Sequence, residues 1–249
     1  MFSNLDFRSK FDIVIDCVGL KKTFYGLTEG NSRILDCAKD YYEKFIKFFN
    51  YENSALYFIS SGGTVYGSSV YGSISETHKL NGDSPYAKAN IEIEKIINSR
   101  PKSIVIRGSN IFGEVRRNRF RQGLISELFH SALEKREIQI DSLSTVKDYI
   151  WIKDFISILV KLFEEKNLSG VFNVGTGSGT STNSLINLTR NIVKNEGLNI
   201  EYLINDDFKK PYDSILDVSK VLNLIGGYKF IDLETALREH WKSILMTKH

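Results

Sequence analysis

The chain has 249 residues, 42% of them apolar, 25% charged and 12% aromatic, a globular composition with enough length to bury a substantial core. Lys and Arg total 33 against 30 Asp and Glu, a net charge of +3 with the signs interspersed and no basic stripe, which argues against a nucleic-acid partner. No apolar run could span a bilayer, no basic-then-apolar leader opens the chain, and two cysteines cannot build a disulfide scaffold, so the cytoplasm is the expected compartment.

Strand and helix alternate from the start. Residues 11–18 read as a buried strand that ends at Gly19. Cys17 and Cys37 fall in apolar patterns and are expected to be buried, whereas Asp12 and Asp16 read as solvated strand ends. Residues 31–49 form an amphipathic helix with Ile34, Leu35, Ala38, Tyr41, Tyr42, Phe45 and Phe49 on one face. A strand over 55–60, a helix over 86–97 and a strand over 103–107 continue the alternation, the pattern of a parallel, doubly wound sheet.

After Gly113 the pattern changes. A helix is predicted over 122–133, short strands over 138–140 and 148–152, a helix over 154–165 and a strand over 171–174. The glycine-rich segment 175–179 reads as a loop before a helix over 182–194. Leu233, Ala236, Leu237, Trp241, Ile244 and Leu245 mark a C-terminal amphipathic helix. His78, His130, His240 and His249 are isolated and no ligand spacing for a metal is present. His240, beside Trp241, is expected at the surface or in packing, and Glu76 in a solvated loop.

The informative stretch is the strand that opens into Ser60-Ser61-Gly62-Gly63-Thr64-Val65-Tyr66-Gly67, followed by Ser84-Pro85-Tyr86 at the start of a helix. A hydroxyl-bearing loop at the carboxyl end of a parallel strand faces the ligand crevice of such a sheet, and a tyrosine in the next helix can reach the same crevice. A hydroxyl and a phenol are a proton-transfer pair suited to a sugar alcohol. Read alone, the same residues fit equally a glycine-rich turn and a half-buried tyrosine.

Taken with Arg107-Gly108-Ser109-Asn110-Ile111-Phe112-Gly113, Arg121-Gln122-Gly123, Lys147-Asp148-Tyr149-Ile150-Trp151, Phe172-Asn173-Val174-Gly175 and the segment 213–220, this order of motifs resembles the NAD-dependent epimerase/dehydratase family of extended short-chain dehydrogenases, UDP-glucose 4-epimerase-like members in particular. The resemblance implies an α/β fold: an incomplete Rossmann-like, doubly wound parallel sheet with a smaller mixed α/β substrate lobe. Residues 1–120 would form the dinucleotide-binding part, with about 147–175 returning to it, and 121–249 the interleaved substrate lobe. It implies Tyr86, Ser61 and Thr64 as catalytic residues and Gly19, Ser60 and Asn90 at the cofactor. It implies Asn110, Gln122, Lys147, Lys210 and Asp213 at a nucleotide-sugar substrate, here a precursor of surface polysaccharide. NAD is the implied cofactor.

The departures from the family carry their own expectations. No Gly-x-x-Gly-x-x-Gly turn precedes residue 11, so the sheet is expected to lack its first strands and the chain to be N-terminally truncated. The family's lysine, four residues after the tyrosine, is Asn90 here, and Lys88 lies on a different side of the helix. Weak NAD binding follows from both. Gly62 stands where epimerases often carry the hydroxyl, and Lys147 and Lys210 replace arginines, keeping the charge but losing the bidentate fork. Two readings compete: an enzyme that still handles a nucleotide sugar, or an inactive or truncated member that only binds a ligand or a partner subunit. With strands missing, residues 11–18 would form an exposed edge, predicting a homodimer or a partner that covers it.

Overall fold

The computed structural model describes residues 11–17, 33–48, 54–67, 72–113, 123–205 and 213–246. In chain order its elements are β1 (Ile13–Asp16), α1 (Arg33–Phe48), β2 (Ala55–Ser61), α2 (Pro85–Asn98), β3 (Ser103–Gly108), β4 (Asn110–Phe112), α3 (Leu124–Glu134), β5 (Ile138–Ile140) and β6 (Val146–Trp151). They continue with α4 (Ile152–Glu164), β7 (Gly170–Val174), β8 (Gly179–Ser181), α5 (Thr182–Val193), β9 (Tyr202–Ile204), α6 (Ser219–Leu224) and α7 (Leu233–Met246).

The main sheet follows from strands that are apolar on both faces. β1, β2, β3 and β7 run parallel in the order β1-β2-β3-β7, with Ile15 opposite Tyr57, Phe58 opposite Val105, and Ile106 opposite Phe172. Side chains alternate along a strand, so Leu56, Phe58 and Val105 turn to one face and Tyr57, Ile104 and Ile106 to the other. The first face is covered by Ala38, Tyr42 and Phe45 of α1 and by Ala89, Ile93 and Ile97 of α2. The second is covered by Ile158, Leu159 and Leu162 of α4 and Val221 of α6. Helices on both faces make the sheet doubly wound, as the alternation predicts. Among the described residues β1 pairs only with β2, so it stands at one end of the strand order.

A second body of structure lies beyond Gly108. β4, β6 and β8 form a small sheet, β5 pairs with β9, and α3, α5 and α7 pack around them. Their core includes Phe112, Phe129, Trp151, Leu185, Ile186 and Trp241. His240 is part of it: 1% exposed, with the rings of Phe129, Phe112 and Trp151 centred 5.7, 6.3 and 6.4 Å away. Burial pushes its imidazole down to about 4, and His130 adds to the effect.

Several expectations are corrected. Cys17 and Cys37 are exposed, because Cys37 falls just off the Leu35–Ala38 face of α1 and Cys17 lies past the end of β1. Asp16 is 5% exposed rather than solvated, since Tyr42 of α1 covers the end of β1. Burial, then the Asp16 charge, raises the Tyr42 phenol. Glu76 is half-buried and accepts from Asn173 N at 2.8 Å. The first strand is shorter than 11–18, and the short elements β4, β8, β9 and α6 were not anticipated.

Candidate functional site

Two helix-capping signals bring the catalytic candidates to one end of the sheet. Ser84 accepts a hydrogen bond from Ala87 N at 3.1 Å, and Pro85 occupies the first turn, so α2 starts at the predicted motif with Tyr86 in that turn. The preceding Gly82 sits where a Cβ would lie 2.5 Å from both the Ala87 Cβ and the Thr64 carbonyl oxygen. Only a glycine lets the first turn of α2 approach the serine–glycine loop that closely. Gly82 was not singled out in the sequence.

The loop itself is organised by one carbonyl. Ser61 O accepts from Thr64 N at 3.1 Å, Val65 N at 3.0 Å and, weakly, Thr64 Oγ1 at 3.4 Å. Ser61 and Thr64 are half-buried on this turn. Gly62 N donates to Gly108 O at 2.7 Å, tying the loop to the end of β3. A Cβ at Gly62 would meet Leu216 Cδ1 at 2.8 Å and Arg107 O at 3.0 Å. Close packing therefore accounts for the absence of a hydroxyl at that position.

The two cofactor candidates in the described residues are turned into the protein. Asn90 is 1% exposed and its Nδ2 donates to Tyr86 O at 3.0 Å, closing a bond within its own helix. Ser60 is buried and its hydroxyl donates to Glu94. The Asn90 amide and the Ser60 hydroxyl thus donate within the protein, and neither supplies the cationic contact to a nicotinamide ribose that the family's lysine would. Gly19, Gln122 and Lys210 lie outside the described residues. Among the described residues no cluster of His, Cys, Asp and Glu could hold a metal ion.

The sequence reading missed the ion pair behind these residues. Arg107 donates to Glu94 from Nη2 at 2.7 Å and from Nε at 3.1 and 3.2 Å, both residues being almost fully buried. Arg107 Nη1 donates to Tyr66 Oη at 2.9 Å, and Tyr66 Oη donates to Asn173 Oδ1 at 2.7 Å. The chain of bonds fastens β3, β7, α2 and the serine–glycine loop to one another. A signal existed: an arginine in a strand that is otherwise apolar needs a buried partner, and Glu94 lies one turn past Asn90.

Asn110 and Lys147, proposed from sequence as substrate residues, converge on one cavity of about 330 Å3. Its polar lining also includes Gln139, Thr145 and Thr182, and its apolar lining includes Phe112 and Leu124. Tyr149 completes one wall, and burial pushes its phenol up to about 12. Asn110 Nδ2 donates to Asp148 O at 2.8 Å, while its Oδ1 lies 3.4 Å from where a Cβ on Gly63 would be. Asn110 thus joins the serine–glycine loop to the cavity. Asp213 is exposed outside the cavity wall and accepts from Val146 N at 2.8 Å, next to Lys147. Asp148 is wholly buried; burial raises its carboxyl, and hydrogen bonds from Thr176 and Gly177 pull the other way.

Comparison with known proteins identifies the family and the fold. A family model described as GDP-mannose 4,6 dehydratase matches residues 22–214. The chain is 28% identical over 229 residues to dTDP-4-dehydro-6-deoxyglucose reductase of Escherichia coli, covering 84% of this chain and 68% of that protein. Two further curated relatives are spanned over 62% and 61% of their own length. The fold is similar to UDP-glucose 4-epimerase of Thermotoga maritima, solved with UDP-glucose, at a TM-score of 0.76 and 22% identity over 96% of this chain and 78% of that one. It is also similar to dTDP-glucose 4,6-dehydratase of Bacillus anthracis, solved with NAD, at 0.71 and 18% over 93% of this chain and 71% of that one.

Proposed function

The chain belongs to the NAD-dependent epimerase/dehydratase family that the GDP-mannose 4,6 dehydratase model describes, and on that premise we propose that it binds a nucleoside-diphosphate sugar between the serine–glycine loop and the Asn110–Lys147 cavity. The observation that carries this reading is Asn110, whose side chain lies over Gly63, where a Cβ would come within 3.4 Å of its Oδ1, and which lines the cavity with Lys147. The Lys147 ammonium is a point charge suited to a phosphate, and the Asn110 amide adds a neutral contact beside it. The hexose would lie toward Ser61 and Thr64, whose hydroxyls can donate to or accept from a sugar oxygen. Tyr86, in the adjoining first turn of α2, is the group that would carry the proton.

The relatives' printed activities are reduction, epimerisation and dehydration of nucleotide sugars, and this reading assigns the chain to that chemistry in the supply of surface-polysaccharide precursors. Titration calorimetry with UDP-glucose, UDP and glucose tests it. UDP-glucose and UDP are expected to bind and glucose alone is not. Lys147→Ala is expected to weaken UDP about tenfold, the order of one charge-assisted contact. Absence of saturable binding by UDP, dTDP, GDP and ADP alike at millimolar concentration would overturn it.

The reading extends to assembly. Ile15 of β1 is 40% exposed and Phe11, just before it, 48%. An apolar terminal strand of this kind is a pairing template, and a twofold dimer through β1 is the symmetric way to cover it. Light scattering at tens of micromolar should give a dimer that Ile15→Lys dissociates. A monomeric wild type would remove the dimer and leave the nucleotide reading intact.

A further inference from the structure

We propose that Asp148 is the positioning residue of the nucleotide cavity: without facing the ligand, it fixes the Asn110 amide in the orientation that grips the diphosphate beside Lys147. The inference rests on the nucleotide-sugar reading above and concerns how the site is held in shape.

Alternation along β6 sets up the division of labour. Lys147 and Tyr149 both line the cavity, so Asp148 between them points to the opposite side, where it is 0% exposed. Its polar groups are engaged by separate segments of chain. Its N–H donates to Ser214 O at 2.9 Å. Its carbonyl oxygen accepts from Asn110 Nδ2 at 2.8 Å. Oδ1 accepts from Thr176 N at 3.0 Å and Thr176 Oγ1 at 2.7 Å, and Oδ2 accepts from Gly177 N at 3.0 Å. The Leu216 N–H donates to the carboxylate as well.

One residue therefore joins β4, the loop after β7 and the segment 214–216 to the strand that carries Lys147. These carboxylate partners are N–H and O–H donors, so the carboxylate is held by dipoles that all point at it. Its backbone carbonyl in turn determines how the Asn110 amide is oriented, because Nδ2 is committed to it and Oδ1 is left toward Gly63 and the cavity. Replacing Asp148 by Asn preserves size but sets an NH2 donor against the N–H donors of Thr176, Gly177 or Leu216. The loop and β6 must then separate, and the Asp148 carbonyl moves away from Asn110. Thr176→Val removes one bond to the same carboxylate, and Thr176 does not line the Asn110–Lys147 cavity.

A double-mutant cycle tests this, with UDP as the probe and calorimetry as the readout. Asp148→Asn and Asn110→Ala are each expected to weaken UDP about tenfold, and the double variant no more than either single one. A residue that only stabilises the fold would leave the UDP affinity of the folded variant unchanged, and one that acts on the ligand independently of Asn110 would give additive losses, on the order of a hundredfold in the double variant. Additive losses in folded proteins, or an unchanged UDP affinity in Asp148→Asn, overturn the proposal. If Asp148→Asn does not fold, Thr176→Val takes its place in the cycle, with a smaller loss that again vanishes in the Asn110→Ala background. Failure of the nucleotide-sugar reading shows separately, as a wild type that does not bind UDP, and takes this inference with it.

Discussion

The Asn90 side chain donates to the backbone carbonyl of Tyr86, 3.0 Å away and one turn earlier in α2. Four-residue spacing puts the two residues on one face of the helix, which is where the family's lysine would sit. The amide is instead turned back on its own backbone and is 1% exposed. The purified chain is therefore expected to carry NAD at well below one equivalent. Heat release followed by an enzymatic cycling assay measures this, and a near-stoichiometric yield would contradict it.

Restoring a side chain at position 62 should be costly. Gly62→Ser brings a Cβ to 2.8 Å from Leu216 Cδ1 and 3.0 Å from a backbone oxygen. A loss of about 1–3 kcal/mol is expected from such overpacking. Leu216→Ala opens part of the space, so urea titration of the pair should show the double variant more stable than the sum of the single effects predicts.

Breaking the Glu94–Arg107 pair should cost more than any surface ion pair in the chain. Arg107→Met leaves a buried carboxylate with Ser60 as its remaining side-chain partner, and a loss of about 3–5 kcal/mol is expected. Replacing both members by apolar residues of similar volume should recover much of that loss. Chemical denaturation of the single and double variants decides the point.

Stability should fall as the solution is acidified through the range where unfolded histidine titrates. His240 is held at about 4 against an ordinary 6.5, so between those values the unfolded chain binds the extra proton and the folded chain does not. The contribution is fully present above pH ~6.5 and amounts to about 3 kcal/mol lost by pH ~4. His240→Phe should flatten that part of the stability–pH curve, and an unaltered curve would show that other groups govern it.

Much of the fold was legible because its signals are local. Ala38, Tyr42 and Phe45 recur at helical spacing, and the strand containing Ile104, Val105 and Ile106 is apolar on both faces, so a helix and a buried parallel strand follow from pattern alone. Ser84 and Pro85 announced the start of α2 by the same kind of local chemistry. Cys17, Cys37, Asp16 and Glu76 were misread, because their exposure depends on which element happens to cover them, and pattern does not carry that information.

The amino-acid order by itself determined the alternation of strands and helices, the family, and the candidacy of Tyr86, Ser61, Thr64, Asn110 and Lys147. The alternation rests on periodicity, and the family and the candidate residues rest on the resemblance that the ordered motifs carry. Only the tertiary structure decided that Asn110 and Lys147 share a cavity, that Asn90 and Ser60 face inward, and that Gly62 has no room for a hydroxyl. Those facts depend on contacts such as Asn110 with Asp148 and Gly62 with Leu216, 38 and more than a hundred residues apart. A side chain's direction is set by whichever partner packing brings to it, and packing is a property of the folded body.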